Sequence, residues 1–432
     1  MRVILALLFT VFPWTPMAPA RAGPLTGTEI ASTLAFAEQQ ALKTIAFLGD
    51  DPTRYPRSRV AGGGGWGLVV SAADWTAGFW PWELTSLYRA AGDPFWLNKA
   101  IAWTAPLAAR AVGGDADTGM KMQSQGALYA LTGDPAYKAV LAQAAGTLAG
   151  RFNATVGAVD QWDFTGANTF DLVIDGMNNL RPLMWSGANG GDPAWLTEAE
   201  QHARTVAATL IRADGSTFQY AVFNPVTGAR TFLGTYQGAG DNSDWQRGLT
   251  WAINGYADLY HQSGDSLFLS IAQSLADHFI AALPADCVPY WDVLAPNAPN
   301  IPRDTSAAAL GDLGLTKLSV LATSASDRDR YAASAQCGLH SLIANGYLAP
   351  GTASAVLRHG NAPDGVDVPL IYGDAAFVTA LVAQQNLNDG LPITWTMSYD
   401  YAPLIAADLM EPGAVLVLLP GVIVLMGLRR RA

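Results

Sequence analysis

The chain has 432 residues, 50% of them hydrophobic and only 14% charged, against about 25% charged in an ordinary soluble domain, so it can bury a large core. A net charge of −11 excludes nucleic acid as a partner, which demands basic patches, and opposes long-range attraction of an acidic ligand; any anion site must be built locally. Cys287 and Cys337 are the only cysteines, too few for a disulfide scaffold or a cysteine-ligated zinc; whether they pair stays open at this level.

Residues 1–22 carry Arg2, the apolar run VILALLFTVF and the small-residue site Ala20-Arg21-Ala22. That order predicts a secretory signal peptide cleaved after Ala22. From Thr28 to Leu48, Ile30, Leu34, Ala37, Ala41, Leu42 and Ile45 recur at helical spacing, which predicts an amphipathic helix. Four glycines, 62–65, follow in a loop; with no Lys-Ser/Thr after them they read as a flexible connection rather than a phosphate cradle.

A repeat then appears. LYRAAGDPFWLNKA (87–100), LYALTGDPAYKAVL (128–141), WSGANGGDPAWLTEA (185–199) and LYHQSGDSLFLSIA (259–272) share one grammar. A helix ends, glycine supplies the left-handed C′ position, aspartate caps the next helix, and an aromatic follows about one turn later. ASDRDRYAASA (325–335) is a degenerate fifth copy, with Tyr331 in the aromatic slot. Each unit is a helical hairpin with a variable loop. Six such hairpins across 28–390 predict an all-α fold, an (α/α)6 barrel in one domain; the alternative is an open α-solenoid. The long loops rich in Trp, Asp and Gln favour the barrel, whose mouth they would line.

Residues 391–410 read as a linker to a tail, 411–432. There Glu411-Pro412 precedes sixteen apolar residues, 413–428, and then Arg429, Arg430 and Arg431. The tail resembles the PEP-CTERM sorting signal, with Met410 where that signal usually has proline. The resemblance implies a temporary membrane anchor processed by an exosortase; the alternative is a plain C-terminal transmembrane segment. Both readings place the body of the protein outside the cytoplasm.

The five histidines form no pair with metal-ligand spacing, so neither a metal nor any other cofactor is expected. No G-x-S-x-G elbow occurs, which argues against a serine hydrolase. What remains is carboxylates among aromatics, and that composition points to carbohydrate chemistry. Candidates are Asp115 and Asp117 in GGDADTGM, Asp175 in DLVIDGMNNLRPLMW, and Asp241, Asp244, Trp245, Arg247 and Trp251 in the stretch 235–256. Tryptophan faces stack on sugar rings and a guanidinium grips a carboxylate. Asp175, set among Leu172, Val173, Ile174 and Met177, would be desolvated if that segment packs inward, which raises a carboxyl pKa. The plainer alternative is that Asp175 only caps the helix after it.

SDWQRGLTWAINGYADLYHQSGD (243–265), DWTAGFWPWELTSLYRAAGD (74–93), DADTGM, IDGMNNLRPLMW, VPYWDVLAP, RDTSAAAL and LRHGNAPDGVDVPLIYGDAAF together resemble the unsaturated glucuronyl hydrolases, glycoside hydrolase family 88, a six-hairpin glycosidase family. The resemblance spans roughly 28–390. It implies a substrate left by a polysaccharide lyase, an oligosaccharide ending in a 4,5-unsaturated uronic acid. One aspartic acid protonates C4 and then, as base, activates water that attacks C5; the resulting hemiketal collapses and releases the sugar. Asp175 matches that acid/base and Asp117 the second essential aspartate. Gln237, Trp245, Arg247 and Trp251 match residues that contact or frame the uronate, Trp75 or Trp80 would supply the opposite wall, and His359 lies in a stretch that lines the site in relatives. Two departures stand out. Ala116 and Gln219 occupy positions where the family has histidines. Those departures motivate a second reading, a polysaccharide-binding protein without turnover. Family 105 unsaturated rhamnogalacturonyl hydrolases and a sugar epimerase on the same barrel are further alternatives.

Overall fold

The structure, a computed structural model, describes residues 25–58, 66–162, 165–166, 168–363, 365–397, 399–402, 415–419 and 422–426. The predicted signal peptide and the 62–65 glycine run lie outside the described residues. Helix α1 (Gly27–Leu48) begins at a capping box: the Thr26 side chain accepts from the Glu29 amide while Glu29 reaches back to the Thr26 amide. A strand pair, β1 (Tyr55–Ser58) and β2 (Leu68–Val70), leads to α2 (Phe79–Ala91) and α3 (Pro94–Thr104). The short helix α4 (Thr118–Lys121) opens onto α5 (Gln123–Thr132) and α6 (Pro135–Ala149). Strands β3 (Phe152–Asn153), β4 (Ala158–Val159) and β5 (Phe170–Val173) precede another one-turn helix, α7 (Gly176–Asn179), then α8 (Arg181–Ala188) and α9 (Ala194–Leu210). Strands β6 (Tyr220–Phe223) and β7 (Arg230–Gly234) add to β5 in a three-stranded antiparallel sheet ordered β5-β6-β7. The hairpins α10 (Gln246–Ser263) with α11 (Ser266–Ala282) and α12 (Thr305–Leu321) with α13 (Ala325–Ala344) follow. A β8–β9 ribbon (Gly360–Ala362, Gly365–Val368) and α14 (Ile371–Asn388) complete the barrel.

Burial sorts these helices into two rings. In α10, α12 and α14 the stretches 246–259, 305–318 and 371–384 are buried on every side, as expected of helices inside a larger body. In α11 only Phe268, Leu269, Ala272, Leu275, Ala276 and Phe279 are buried, a single stripe at helical spacing. The inner ring is α2, α5, α8, α10, α12 and α14. Contacts link α2 to α5 and run from α8 through α10 and α12 to α14, which packs back on α2; an Arg181–Gln123 hydrogen bond of 2.8 Å bridges α5 and α8. With α1 behind α14, six inner and six outer helices make the (α/α)6 barrel that the repeat predicts.

The Gly-Asp turns fall where inner helices pass to outer ones. Gly92, Gly133 and Gly264 sit at φ of 68°, 66° and 71°. Asp93, Asp134 and Asp265 accept from Phe95, Ala136 and Leu267 amides, caps of about 1 kcal/mol each. The degenerate copy is capped by Ser324 instead, which accepts from the Asp327 amide. All these turns crowd one pole of the barrel. The inner-helix N-termini, and the long loops feeding them, gather at the other.

Two expectations change. Of the stretch 391–410 expected to be a linker, the described residues 391–397 and 399–402 pack on the barrel: Ile393, Trp395, Met397 and Tyr399 are buried, Arg89 stacks 4.3 Å over Trp395, and Ala402 donates to Ala130 O at 2.8 Å; 398 and 403–410 lie outside the described residues. Gly126 is required there, because a Cβ on it would lie 1.8 Å from the Tyr399 ring. The apolar tail is not a helix where it is described; Val415–Leu419 and Val422–Met426 pair as an antiparallel hairpin. Valine-rich segments either side of Pro420-Gly421 favour strands over an unbroken helix. Among the described residues no helix is long and apolar enough to cross a membrane. The cysteine pairing that the sequence left open is made: Cys287 and Cys337 are disulfide-bonded, tying the α11–α12 loop to outer helix α13. With a sequence separation of 50, removing this bond (Cys287→Ser with Cys337→Ser) should lower stability by about 4 kcal/mol. Denaturant midpoints of the oxidised protein and the double variant measure that loss.

Candidate active site

The inner-helix N-termini open onto a pocket of about 730 Å³. Each wall comes from the start of a different inner hairpin. Trp75 precedes α2, Asp115, Ala116 and Asp117 precede α4, Asp175 precedes α7, Trp245 and Arg247 start α10, and Leu370 and Tyr372 start α14. Helix N-termini carry partial positive charge and free amides. Their convergence gives an acidic protein a local site for an anion.

The aromatic walls are interlocked. Trp75 stacks on Tyr372 at 5.2 Å and 28° and meets Phe79 edge-on at 6.0 Å; Trp251 lies 5.8 Å from Phe79 and 6.1 Å from Tyr372. Arg247 is buried to 2% exposure. It pairs with Asp304 at 2.8 Å and donates to Gln237 Oε1 at 2.7 Å and to Asn361 O. Its guanidinium lies 4.6 Å from the Trp245 ring and 5.2 Å from the Tyr372 ring. A planar cation fixed on so many sides presents its remaining donors to the pocket in one direction.

Asp175 stands at the junction of β5 and α7. Its Oδ1 is sealed from solvent and has no hydrogen-bond partner among the described residues, and it makes no side-chain cap for α7. The helix-cap reading therefore fails. Burial pushes its carboxyl up to about 7; Arg247 pulls the other way and Asp117 adds to the rise. A carboxyl that holds its proton to neutrality beside a sugar-sized pocket can donate that proton and take one back.

The pocket brings together Asp175, Asp117, Gln237, Trp245, Arg247, Trp251 and Trp75. It leaves out three predicted residues. Trp80 is a core side chain of α2, edge-on to Trp103 of α3 at 6.2 Å. His359 pairs with Asp367 and stands edge-on to Tyr347 outside the pocket lining. Gln219 is buried behind the wall, where its Oε1 accepts from Thr235 Oγ1 at 2.9 Å and from the Tyr236 and Gln237 amides at 2.7 and 2.6 Å. It shapes the turn that presents Gln237. Of the other acidic candidates, Asp115 pairs with Lys121. Asp244 is a buried structural acceptor for the Thr217 amide, Gln246 and His278. Asp241 is exposed and outside the lining.

Sequence reasoning missed Trp162, Tyr236, Tyr372, Gln161 and Asn179, all in the lining. The asparagine was visible in IDGMNNL and Tyr372 in LIYGDAAF, but nothing local distinguishes them from core residues. Among the described residues no group of three or more His, Cys, Asp and Glu side chains is placed to hold a metal ion. A more open groove of about 630 Å³ on the outside, lined by α11 and α13 residues including His278 and Arg330, holds none of the candidates.

Barrel, aromatic walls and a proton-retaining aspartate define a six-hairpin glycosidase. Comparison with known proteins agrees. An unsaturated glucuronyl hydrolase of Formosa agariphila is 33% identical over 331 residues, 74% of this chain and 82% of that protein. A crystal structure of an unsaturated glucuronyl hydrolase specific for heparin superposes with a TM-score of 0.78 at 29% identity, covering 85% of this chain and 99% of that one. A Streptococcus agalactiae unsaturated glucuronyl hydrolase, solved as an aspartate-to-asparagine mutant complexed with dGlcA-GalNAc6S, gives 0.71 at 26% identity, covering 84% and 93%. No protein-family model matches the chain. The chain belongs to the unsaturated glucuronyl hydrolase family, glycoside hydrolase family 88, and is a glycosidase.

Proposed function

We propose that the protein is an exported hydrolase that removes the terminal 4,5-unsaturated uronic acid from lyase-generated oligosaccharides by hydrating the C4=C5 double bond. The observation that carries this reading is Asp175: a carboxyl held protonated to about 7 in a pocket whose other groups suit a planar, anionic ring. The reaction balances on that one group. Asp175 gives its proton to C4 of the enol ether. Water adds to C5 and returns a proton to Asp175, leaving a hemiketal whose collapse frees the neighbouring sugar. Asp117 and Gln237 line the same pocket and would hold the ring; Arg247 and the inner-helix N-termini would take its carboxylate. The relatives' names, and the complex with an unsaturated disaccharide, support the substrate class. The disulfide supports export, since such bonds persist in oxidising compartments. Processing of the tail by an exosortase remains part of the same proposal.

The test is optical. The conjugated double bond absorbs in the ultraviolet, and incubation with oligosaccharides from glycosaminoglycan, gellan, xanthan, pectin and ulvan lyases should bleach it for at least one class. Saturable binding without bleaching across the panel would favour the binding-protein reading that Ala116 and Gln219 suggest. Bleaching confined to pectin products would favour the family 105 activity.

A further inference from the structure

We propose that Asn179 is a positioning residue that fixes Asp117 and Asp175 relative to one another. The inference rests on the reading of Asp175 as proton donor. The two aspartates belong to different hairpins, and the chain between them is long. One buried amide spans the gap. Asn179, 2% exposed, ends α7, the single turn that begins just after Asp175. Its Oδ1 accepts from the Met120 amide at 2.9 Å and its Nδ2 donates to Ala116 O at 2.7 Å. Those backbone atoms bracket Asp117 on both sides. The same Nδ2 donates to Gln161 Oε1 at 3.0 Å.

Two glycines show how closely the parts are fitted. A Cβ on Gly119 would fall 1.6 Å from Asn179 O, and one on Gly176 would fall 2.7 Å from Gln161 Oε1. The Asp117 turn, α7 and Gln161 therefore meet with no slack, and every polar atom of the Asn179 side chain is used. A fully satisfied buried amide of this kind holds its neighbours in a single arrangement. Asp117 and Arg247 are the charged groups that act on Asp175, from the α4 and α10 hairpins. Asn179 governs the first of them.

Asn179→Ala frees the Asp117 turn and opens a polar gap beside Asp175. With steady-state assays on an unsaturated oligosaccharide, kcat should fall by about 10–100-fold while KM moves by less than about threefold, the cost of misplacing a reacting group by an ångström. The alkaline limb of the pH profile should move to lower pH, because burial and the Asp117 charge both weaken. An NMR titration of Asp175 with 13C-labelled aspartate should show the same downward movement without substrate. Gln161→Met removes one acceptor and should give a smaller change in the same direction; it carries the test if Asn179→Ala does not fold. A folded variant with unchanged kcat and unchanged Asp175 titration overturns the proposal. A wild-type protein that bleaches no unsaturated uronide overturns the proposed function instead, and the NMR titration still decides the role of Asn179.

Discussion

Asp175→Asn is expected to lower kcat/KM for an unsaturated uronyl oligosaccharide by about 10³-fold or more, since it removes the group proposed as acid and then base. Asparagine has the same outline, so the pocket should keep its shape and still bind substrate. Full turnover by the variant would remove Asp175 from the mechanism. The wild-type pH profile should carry the matching signature. The protonated form is the reactive one, so kcat/KM should fall about tenfold per pH unit above about 7, the value to which burial raises this carboxyl.

The same residue makes a stability prediction of opposite sign. The folded-state pKa is raised from 3.8 to about 7, so between these values the native state binds more protons than the unfolded chain. Stability from this group is fully present below about pH 4 and is lost as pH rises through 7. Asparagine cannot ionise and escapes that loss. From pH 5 to pH 8 the variant should gain about 2–3 kcal/mol relative to wild type, read from denaturant midpoints at the two pH values. A site carboxyl held against its own solvation is a known reason for a substitution that stabilises the fold.

The parts of this fold legible in the sequence are those made by local chemistry. Gly92-Asp93, Gly133-Asp134 and Gly264-Asp265 each need only their own neighbours to form a left-handed stop and a cap, so they announce the hairpins. They sit at the pole away from the pocket. The mouth is built from loops whose residues meet only after the ring closes, and there local pattern fails. Trp75 and Trp80 look alike in sequence, yet one stacks on Tyr372 in the pocket and the other meets Trp103 edge-on in the core. His359 and Gln219 came in through the family resemblance, and the structure puts both behind or beside the pocket. Gln219 keeps a structural use there through its three accepted hydrogen bonds. Residues 391–402 carry few apolar periodicities of their own, and only Gly126 and Arg89, far away in sequence, show where Tyr399 and Trp395 belong.

Asp258→Asn is expected to destabilise the barrel by about 3–5 kcal/mol, because it leaves two buried cations without their anion. The inner ring contains charge as well as apolar side chains. Arg181 on α8 reaches Asp258 on α10 through Nε and Nη2, both at 2.7 Å, and Lys317 on α12 reaches the other carboxylate oxygen at 2.6 Å. Exposures are 4%, 0% and 0%. Arg181 also donates to Gln123 on α5, so one carboxylate organises four of the six inner helices. The arrangement is already short of negative charge: burial and the nearby Arg181 push the Lys317 ammonium down to about 7. Without Asp258 the lysine should lose its proton well below neutrality, which relieves part of the cost and leaves Arg181 unpaired. Replacing all three by apolar residues of similar size, Arg181→Met, Asp258→Leu and Lys317→Met, should recover most of the loss, since the desolvation of the charges disappears with them. Denaturant midpoints of the single and triple variants at pH 7 separate the outcomes. If the triple variant is as unstable as the single one, packing around these stems, rather than charge balance, holds the inner helices in register.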